Sequence, residues 1–181
     1  RVSDGMAQNA VLALLLASAL GVSDEQMQRR LEGWEPARLR GELRECDGRP
    51  LYLDCYNANP ASMADALAVF QQLAPANLPR LYLLGGMEEL GAAAADYHHR
   101  LGAGLHLRDG DRVAVLGPFA AAVEEGLLAA GNTRSQVTVA ATLDELRGLL
   151  AEFRGAVFVK GSRRFQLESL FSAPSVPTGA H

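Results

Sequence analysis

The sequence contains few of the residues that mark specialised folds or environments. Aromatic side chains make up 6% of its 181 residues, and cysteine occurs only as Cys46 and Cys55. Two cysteines cannot form a disulfide framework and are typical of a reducing compartment. The longest apolar run, residues 10–22 with one interrupting serine, is too short to cross a bilayer and lacks the basic flank of a secretion signal. The sequence therefore predicts neither a disulfide scaffold nor membrane insertion.

An excess of charge of one sign is also absent. The 17 Lys and Arg residues and the 21 Asp and Glu residues give a net charge of −4, which excludes the basic surface of a non-specific nucleic-acid binder. With 49% hydrophobic residues, the chain is long enough to bury the core of one domain, or of one domain plus a fragment. Because residue 1 is arginine, we expect a piece of a longer protein.

Two helices are predicted before a domain boundary. Residues 4–21 are rich in Ala and Leu, with Asp4 as the expected N-cap and Gly21 as the expected end. This segment is apolar almost all round, which predicts a helix buried on several sides.

A second, amphipathic helix is expected from the capping-box pattern at Ser23 to about Gly33. The Trp-Glu-Pro sequence that follows breaks the helical pattern, so a linker is expected at about residues 33–39. Residues 1–38 would then be the end of a preceding domain and its linker.

From residue 40 onwards, short apolar strands alternate with helices. A hairpin turn is expected at Asp47-Gly48. The predicted strands are residues 42–46, 50–54, 81–84, 113–116, 137–139 and 156–159; the predicted helices are residues 61–73, 92–105, one ending at 130, 143–153 and a short one ending at 171. This alternation predicts a Rossmann-like, doubly wound, mostly parallel α/β sheet over residues 39–171. Residues 172–181, rich in Pro, Ser, Thr and Gly, are expected to be a disordered tail.

Polar, turn-forming residues follow three of the predicted strands, at residues 54–60, 85–91 and 160–163. Ligands of open α/β sheets bind at the carboxyl ends of strands, and each segment precedes a predicted helix whose free N–H groups favour an anion. Lys160 and Arg163 therefore predict a site for a carboxylate or a phosphate. The alternative is that these segments only form turns and that Ser162 only caps a helix.

Several catalytic motifs are absent from the sequence. The glycines of residues 85–91 do not fit the dinucleotide fingerprint, and no G-x-x-x-x-G-K-[ST] phosphate loop occurs. None of the four histidines has metal-ligand spacing, and a structural or solvated role is expected for His98 and His99. Cys55 is expected to pack rather than to act as a nucleophile. No catalytic residue and no metal ligand is predicted within this chain.

Three motifs of the sequence resemble those of the Mur ligase superfamily. Residues 53–63, Leu-Asp-Cys-Tyr-Asn-Ala-Asn-Pro-Ala-Ser-Met, resemble its D-[SC]-Y-N-A-N-P-x-S-M signature. Residues 84–91 resemble L-G-D-M-x-E-L-G, and residues 159–163 with Glu168 resemble V-K-G-S-R…E. The chain is thus similar to the C-terminal domain of this superfamily, preceded by the last helices of its central ATPase domain.

The resemblance implies an ATP-dependent, amide-forming ligase that works through an acyl phosphate in the bacterial cytoplasm. The motifs are most similar to those of ligases that add D-Ala-D-Ala to UDP-N-acetylmuramoyl-tripeptide during peptidoglycan synthesis, a process that underlies cell shape and division. ATP and Mg²⁺ would be bound mainly by the central domain of the longer protein. The central and N-terminal domains would be the partners of this chain. The fragment alone is therefore expected to be inactive. Two alternatives remain: a Mur-like ligase with another amine acceptor, and a stand-alone Rossmann-like module that binds a small anion.

The resemblance also implies roles for individual residues in binding the nucleotide. Asn9 matches a residue near the adenine, Arg40 an arginine that reaches the phosphates, and Asp54 an aspartate that contacts the ribose.

Other residues match positions on the side of the incoming dipeptide. These are Asn57, Asn59, Lys160, Ser162 and Arg163. Gly86 stands where the family usually has Asp, a carboxylate suited to the ammonium group of the acceptor. We therefore expect Glu89 to contact that ammonium group and Glu88 to be solvated.

Overall fold

The computed structural model describes residues 3–35 and 37–171, which form six α-helices and six β-strands. In chain order they are α1 (Asp4–Ala19), α2 (Asp24–Glu32), β1 (Glu42–Cys46), β2 (Arg49–Asp54), α3 (Pro60–Leu73), β3 (Arg80–Gly85), α4 (Ala94–Ala103), β4 (Arg112–Leu116), α5 (Ala120–Ala129), β5 (Val137–Ala140), α6 (Leu143–Glu152) and β6 (Ala156–Lys160). Short 3-10 helices lie at Gly91–Ala93, Arg134–Gln136, Arg163–Phe165 and Leu167–Phe171.

All six strands belong to one sheet, in the order β1-β2-β6-β3-β4-β5. β1 runs antiparallel to β2, and every other pair is parallel. The β1–β2 turn places Asp47 and Gly48 at φ 52° and 72°, the left-handed geometry that two-residue hairpins favour. The predicted mostly parallel α/β fold is confirmed.

The strands are apolar along their length because both faces of the sheet are covered. Tyr82 and Leu84 of β3 pack with side chains of α3 and α5 on one face, whereas Leu81 and Leu83 pack with α6 and the final 3-10 helix on the other. The central ring of the first layer is Phe158, whose centroid lies 5.5 Å from that of Tyr52. Burial on both faces explains the continuous runs that identified these strands.

α4 and α5 pack against each other through glycine. A Cβ on Gly102 would lie 2.1 Å from the carbonyl oxygen of Val123, and one on Gly126 would lie 2.0 Å from that of His99. Both distances are far inside van der Waals contact, so this close packing requires glycine at both positions.

The N-terminal helix departs from expectation in its cap and its burial. Ser3, not Asp4, is the N-cap, because its Oγ accepts the N–H of Met6 at 3.2 Å. The expected burial on several sides is wrong: no residue of α1 is buried, and Leu12 is 65% exposed. The physical reason is that α1 packs mainly against α2 and α3, while its remaining sides are uncovered in the described part of the chain. Helix α2 has the predicted capping box at Ser23.

The short helix expected to end at 171 is instead two 3-10 helices. Gln166 separates them in the left-handed region, at φ 49°, which interrupts any continuous α-helix. The side chain of Ser162 makes no capping hydrogen bond to the turn that follows it. The predicted tail, residues 172–181, lies outside the described residues. None of the described helices is long and apolar enough to cross a membrane.

Candidate functional site

The three polar strand ends meet at one edge of the sheet. β6 lies between β2 and β3, so residues 54–60, 160–163 and 85–91 leave adjacent strands. Within the register, Lys160 pairs with Asp54 on one side and with Leu84 on the other. This adjacency concentrates the polar side chains at the carboxyl edge, where ligands bind in open α/β sheets.

A buried ion pair occupies the centre of this edge. Lys160 is 1% exposed, and its Nζ donates to Asp54 Oδ2 at 2.7 Å and to the carbonyl oxygen of Asn57 at 3.1 Å. A buried ammonium group is tolerated only when it is paired and hydrogen-bonded. Asp54 and Asn57 meet that requirement, and the side chain of Asp54 stays 17% exposed.

A cleft of about 800 Å³ separates α1 from this edge. Six of the nine residues that the sequence singled out line it: Asn9, Arg40, Asp54, Asn57, Asn59 and Lys160. The three expected nucleotide contacts therefore lie together, and three of the expected acceptor contacts lie with them.

An aromatic ring holds the arginine of this cleft. The guanidinium carbon of Arg40 lies 3.9 Å from the centre of the Tyr56 ring, a cation–π contact. The N–H of Tyr56 donates to the carbonyl oxygen of Leu39 at 3.1 Å, which ties the linker to the end of β2. The sequence analysis assigned no role to Tyr56. Its position inside the motif of residues 53–63 was the one sequence feature that pointed to the site.

The two asparagines of the segment after β2 also shape the local backbone. Asn57 Oδ1 accepts the N–H of Ala58 at 2.8 Å, and Asn59 Oδ1 accepts the N–H of Ser62 at 2.8 Å. Asn59 is thereby the N-cap of α3, and Pro60 is the first residue of that helix. The alternative that this segment forms a turn is therefore correct in part, because both asparagine side chains stabilise the local backbone.

Arg163 lies in a different hollow from Lys160. This hollow, of about 590 Å³, is lined by Arg38, Leu39, Tyr56, Asn57, Arg163 and Glu168. Arg163 is 58% exposed and pairs with Glu168 Oε1 at 2.9 Å. The two cations expected to share one anion therefore line different spaces, and Asn57 borders both.

In the segment after β3, an aromatic ring lies beside Gly86, the position where the family usually has an aspartate. A Cβ on Gly86 would lie 2.9 Å from Cζ of Phe165, so this ring fills the space that a side chain at position 86 would need. The carbonyl oxygen of Gly86 accepts the N–H of Ser162 at 3.0 Å. Glu89 is exposed and lines neither space, whereas Glu88, expected to be solvated, pairs with Arg164 at 3.3 Å.

His98 has the structural role that the sequence favoured. Its buried ring accepts the N–H of Met87 at Nε2, at 2.9 Å, and Nδ1 donates to the carbonyl oxygen of Ala94 at 2.7 Å. The ring also stacks on Phe119, with a centroid distance of 4.8 Å. Both nitrogens are occupied by backbone groups, so this histidine fixes the loop after β3.

Cys55 is a packing residue, as expected. It is buried, and its Sγ donates to the carbonyl oxygen of Val159 at 3.6 Å. Burial raises the pKa of its thiol, and the negative charge of Glu168 adds to the effect. A thiol with a raised pKa is a poor nucleophile at neutral pH. Within residues 3–35 and 37–171, no three His, Cys, Asp or Glu side chains are grouped to hold a metal ion.

By fold and site, this is an open α/β domain with its polar groups gathered at the ligand-binding edge. The chain belongs to the Mur ligase family: the model described as "Mur ligase, glutamate ligase domain" matches residues 39–163.

Two relatives share enough sequence to extend this comparison. A UDP-N-acetylmuramoyl-tripeptide–D-alanyl-D-alanine ligase of Treponema pallidum (strain Nichols) is 36% identical over 168 residues, which cover 91% of this chain and 36% of that protein. The crystal structure of MurF from Acinetobacter baumannii matches with a TM-score of 0.77 at 30% identity, covering 93% of this chain and 36% of its own.

A third relative shares the fold at lower identity. MurF ligase from Thermotoga maritima, in complex with ADP, matches with a TM-score of 0.75 at 21% identity, covering 93% of this chain and 37% of its own. The chain spans 36% of the length of the curated relatives that it matches.

Proposed function

We propose that this chain is the C-terminal part of a longer, cytoplasmic, ATP-dependent ligase. The ligase would join D-Ala-D-Ala to UDP-N-acetylmuramoyl-tripeptide through an acyl phosphate. The observation that carries the proposal is the cleft that gathers Asn9, Arg40 and Asp54 in a chain of the Mur ligase family.

The donor and acceptor groups of the cleft suit a nucleotide. The carboxylate of Asp54 can accept hydrogen bonds from ribose hydroxyls, and the guanidinium of Arg40, held by Tyr56, can pair with a phosphate. The amide of Asn9 can donate to and accept from a base edge. A relative of the same fold was solved with ADP. From the family resemblance, we also propose that Mg²⁺ is held mainly by the rest of the protein.

The second hollow suits the carboxylate of the acceptor. Arg163 is more than half exposed there, and Asn57 connects the hollow to the nucleotide cleft. A terminal carboxylate pairs well with a guanidinium group. From the family resemblance alone, we further propose that Glu89 meets the ammonium group, although it borders neither space, and that Ser162 and Asn59 contribute to the acceptor side.

The N-terminal helices fit a role at a domain junction. We propose that residues 1–38 end the central ATPase domain and that its remainder covers the exposed side of α1, where Leu12, Leu15 and Leu16 are each more than 60% exposed. A contiguous apolar surface of this kind usually belongs to an interface.

One observation favours a second candidate, a ligase that uses a different amine acceptor. Phe165 occupies the space beside Gly86, so an apolar ring stands where the family usually has a carboxylate. A Mur-like ligase with a different amine acceptor would be consistent with this replacement.

Product analysis tests the proposal. The longer protein, with ATP, Mg²⁺, UDP-N-acetylmuramoyl-tripeptide and D-Ala-D-Ala, should form the pentapeptide product and ADP, detected by mass spectrometry. A panel of other amino acids and dipeptides tests the alternative acceptor. The 181-residue chain alone should turn over no ATP. Failure of the longer protein to ligate any amine would refute the proposal.

A further inference from the structure

We infer that Lys160 is a positioning residue for Asp54 in nucleotide binding and does not contact the acceptor itself. The inference rests on the proposed function and changes the role that the sequence motif suggested for this lysine. Asp54 and Lys160 end adjacent parallel strands and are directly paired in the register, so the backbone of the sheet brings their side chains together.

The ammonium group of Lys160 is already hydrogen-bonded within the protein and is poorly placed to contact a ligand. Its Nζ is engaged by Asp54 Oδ2 at 2.7 Å and by the carbonyl oxygen of Asn57 at 3.1 Å, and the residue is 1% exposed. The side chain of Arg163 pairs with Glu168 but is 58% exposed. The accessible cation for an acceptor carboxylate is therefore the arginine.

The same contacts prepare Asp54 for a ligand. Among the described residues, only Lys160 donates to the Asp54 side chain, and it does so at Oδ2. The second oxygen of this carboxylate is thus left for a hydroxyl group in the cleft, while the ammonium group fixes the orientation of the first. Fixing a polar group before the ligand arrives lowers the entropy cost of binding.

The charge of Lys160 also matters for an anionic ligand. An unpaired carboxylate beside a polyphosphate would repel it, and charges in a partly buried cleft are weakly screened by salt. Lys160 offsets the charge of Asp54, which removes one of the carboxylate charges in the cleft that would oppose the attraction of the phosphates by Arg40. The bond to the carbonyl oxygen of Asn57 holds the segment next to Tyr56, on which Arg40 rests.

Steady-state kinetics of the longer protein test the inference with four variants. Lys160→Met should raise the KM for ATP about tenfold or more and leave the KM for D-Ala-D-Ala within about twofold. Lys160→Arg should recover part of the affinity for ATP because it keeps a charged donor. Asp54→Asn should resemble Lys160→Met, and the double variant should be no worse than the more severe single one, since the two residues act as one unit.

Distinct outcomes overturn the inference. A raised KM for D-Ala-D-Ala with an unchanged KM for ATP in Lys160→Met would assign the lysine to the acceptor, and so would independent, additive effects of the two substitutions. If Lys160→Met does not fold, Asp54→Asn decides alone: an unchanged KM for ATP refutes the inference. A wild-type protein that ligates no amine refutes the proposed function instead, which separates the two failures.

Discussion

Lys160 Nζ donates to Asp54 Oδ2 at 2.7 Å across two adjacent parallel strands, and this pair lies at the floor of the cleft beside α1. The lysine is buried and the aspartate is largely covered. Removing one partner of such a pair leaves the other charge in a poorly solvated place, which costs more than the pair itself contributes.

The ion pair makes a prediction about stability. Asp54→Ala should lower the free energy of unfolding of the 181-residue chain by about 3–5 kcal/mol, because the Lys160 charge loses its counter-ion. Urea denaturation measures the change. The matched control is Asp144→Ala, which removes an exposed ion pair with Arg147 and should cost less than about 1 kcal/mol. If the two substitutions lowered the free energy of unfolding equally, the buried pair would contribute no more to stability than the exposed pair does.

The glycines between α4 and α5 make a second prediction. Gly126→Ala would place a Cβ 2.0 Å from the carbonyl oxygen of His99, so the helices must separate, at a cost of about 1–3 kcal/mol or more. Gly148→Ala in α6 is the control, because no atom lies within 4 Å of a Cβ there, and it should stabilise by about 0.5–1 kcal/mol. Thermal melts of the two variants should shift in opposite directions; a shift in the same direction contradicts the packing described.

His98 provides a third prediction. His98→Ala should destabilise the chain by about 1–3 kcal/mol from the unpaired Met87 N–H alone, before any loss of packing against Phe119. His106→Ala, at an exposed position, should change stability by less than about 0.5 kcal/mol. Hydrogen exchange at the Met87 amide, measured by NMR, should accelerate only in the first variant. An unchanged exchange rate would mean that the ring is not its partner.

The cysteines differ in their expected reactivity. Burial raises the pKa of both thiols, and Cys55 is buried whereas Cys46 is only partly so. A raised pKa reduces the thiolate fraction at pH 8, so Ellman's reagent should label Cys46 slowly and Cys55 only after unfolding. Above the ordinary thiol pKa the unfolded state ionises first, so Cys55 should reduce stability as the pH rises. Rapid labelling of Cys55 in the native chain would contradict its burial.

Much of the sheet could be predicted from the sequence because its signals are local. Strands buried on both faces have continuous apolar runs, as at residues 81–84, and a left-handed turn at Asp47-Gly48 needs only its two residues. The predicted capping box at Ser23 is likewise set within four residues. These features do not depend on which strand lies beside which.

The arrangement of the site could not be predicted in the same way. The pairing of Lys160 with Asp54 depends on β6 lying next to β2, a sheet order that no local pattern encodes. Arg163 begins a 3-10 turn where a helix was expected, and it lines another space than Lys160 does. The space beside Gly86 is filled by Phe165, which is distant in sequence. The pairing of Lys160 with Asp54 and the filling of the space beside Gly86 both depend on residues that are far apart in the sequence.

Hydrogen–deuterium exchange on the longer protein tests most directly whether the cleft contacts nucleotide. Adding a non-hydrolysable ATP analogue should slow exchange in peptides that cover residues 54–60 and the linker at Arg40, because a bound ligand suppresses the local opening of these loops. Peptides around Arg163 should respond to D-Ala-D-Ala instead. Protection by the analogue that leaves residues 54–60 unchanged would contradict the assignment of this cleft to the nucleotide.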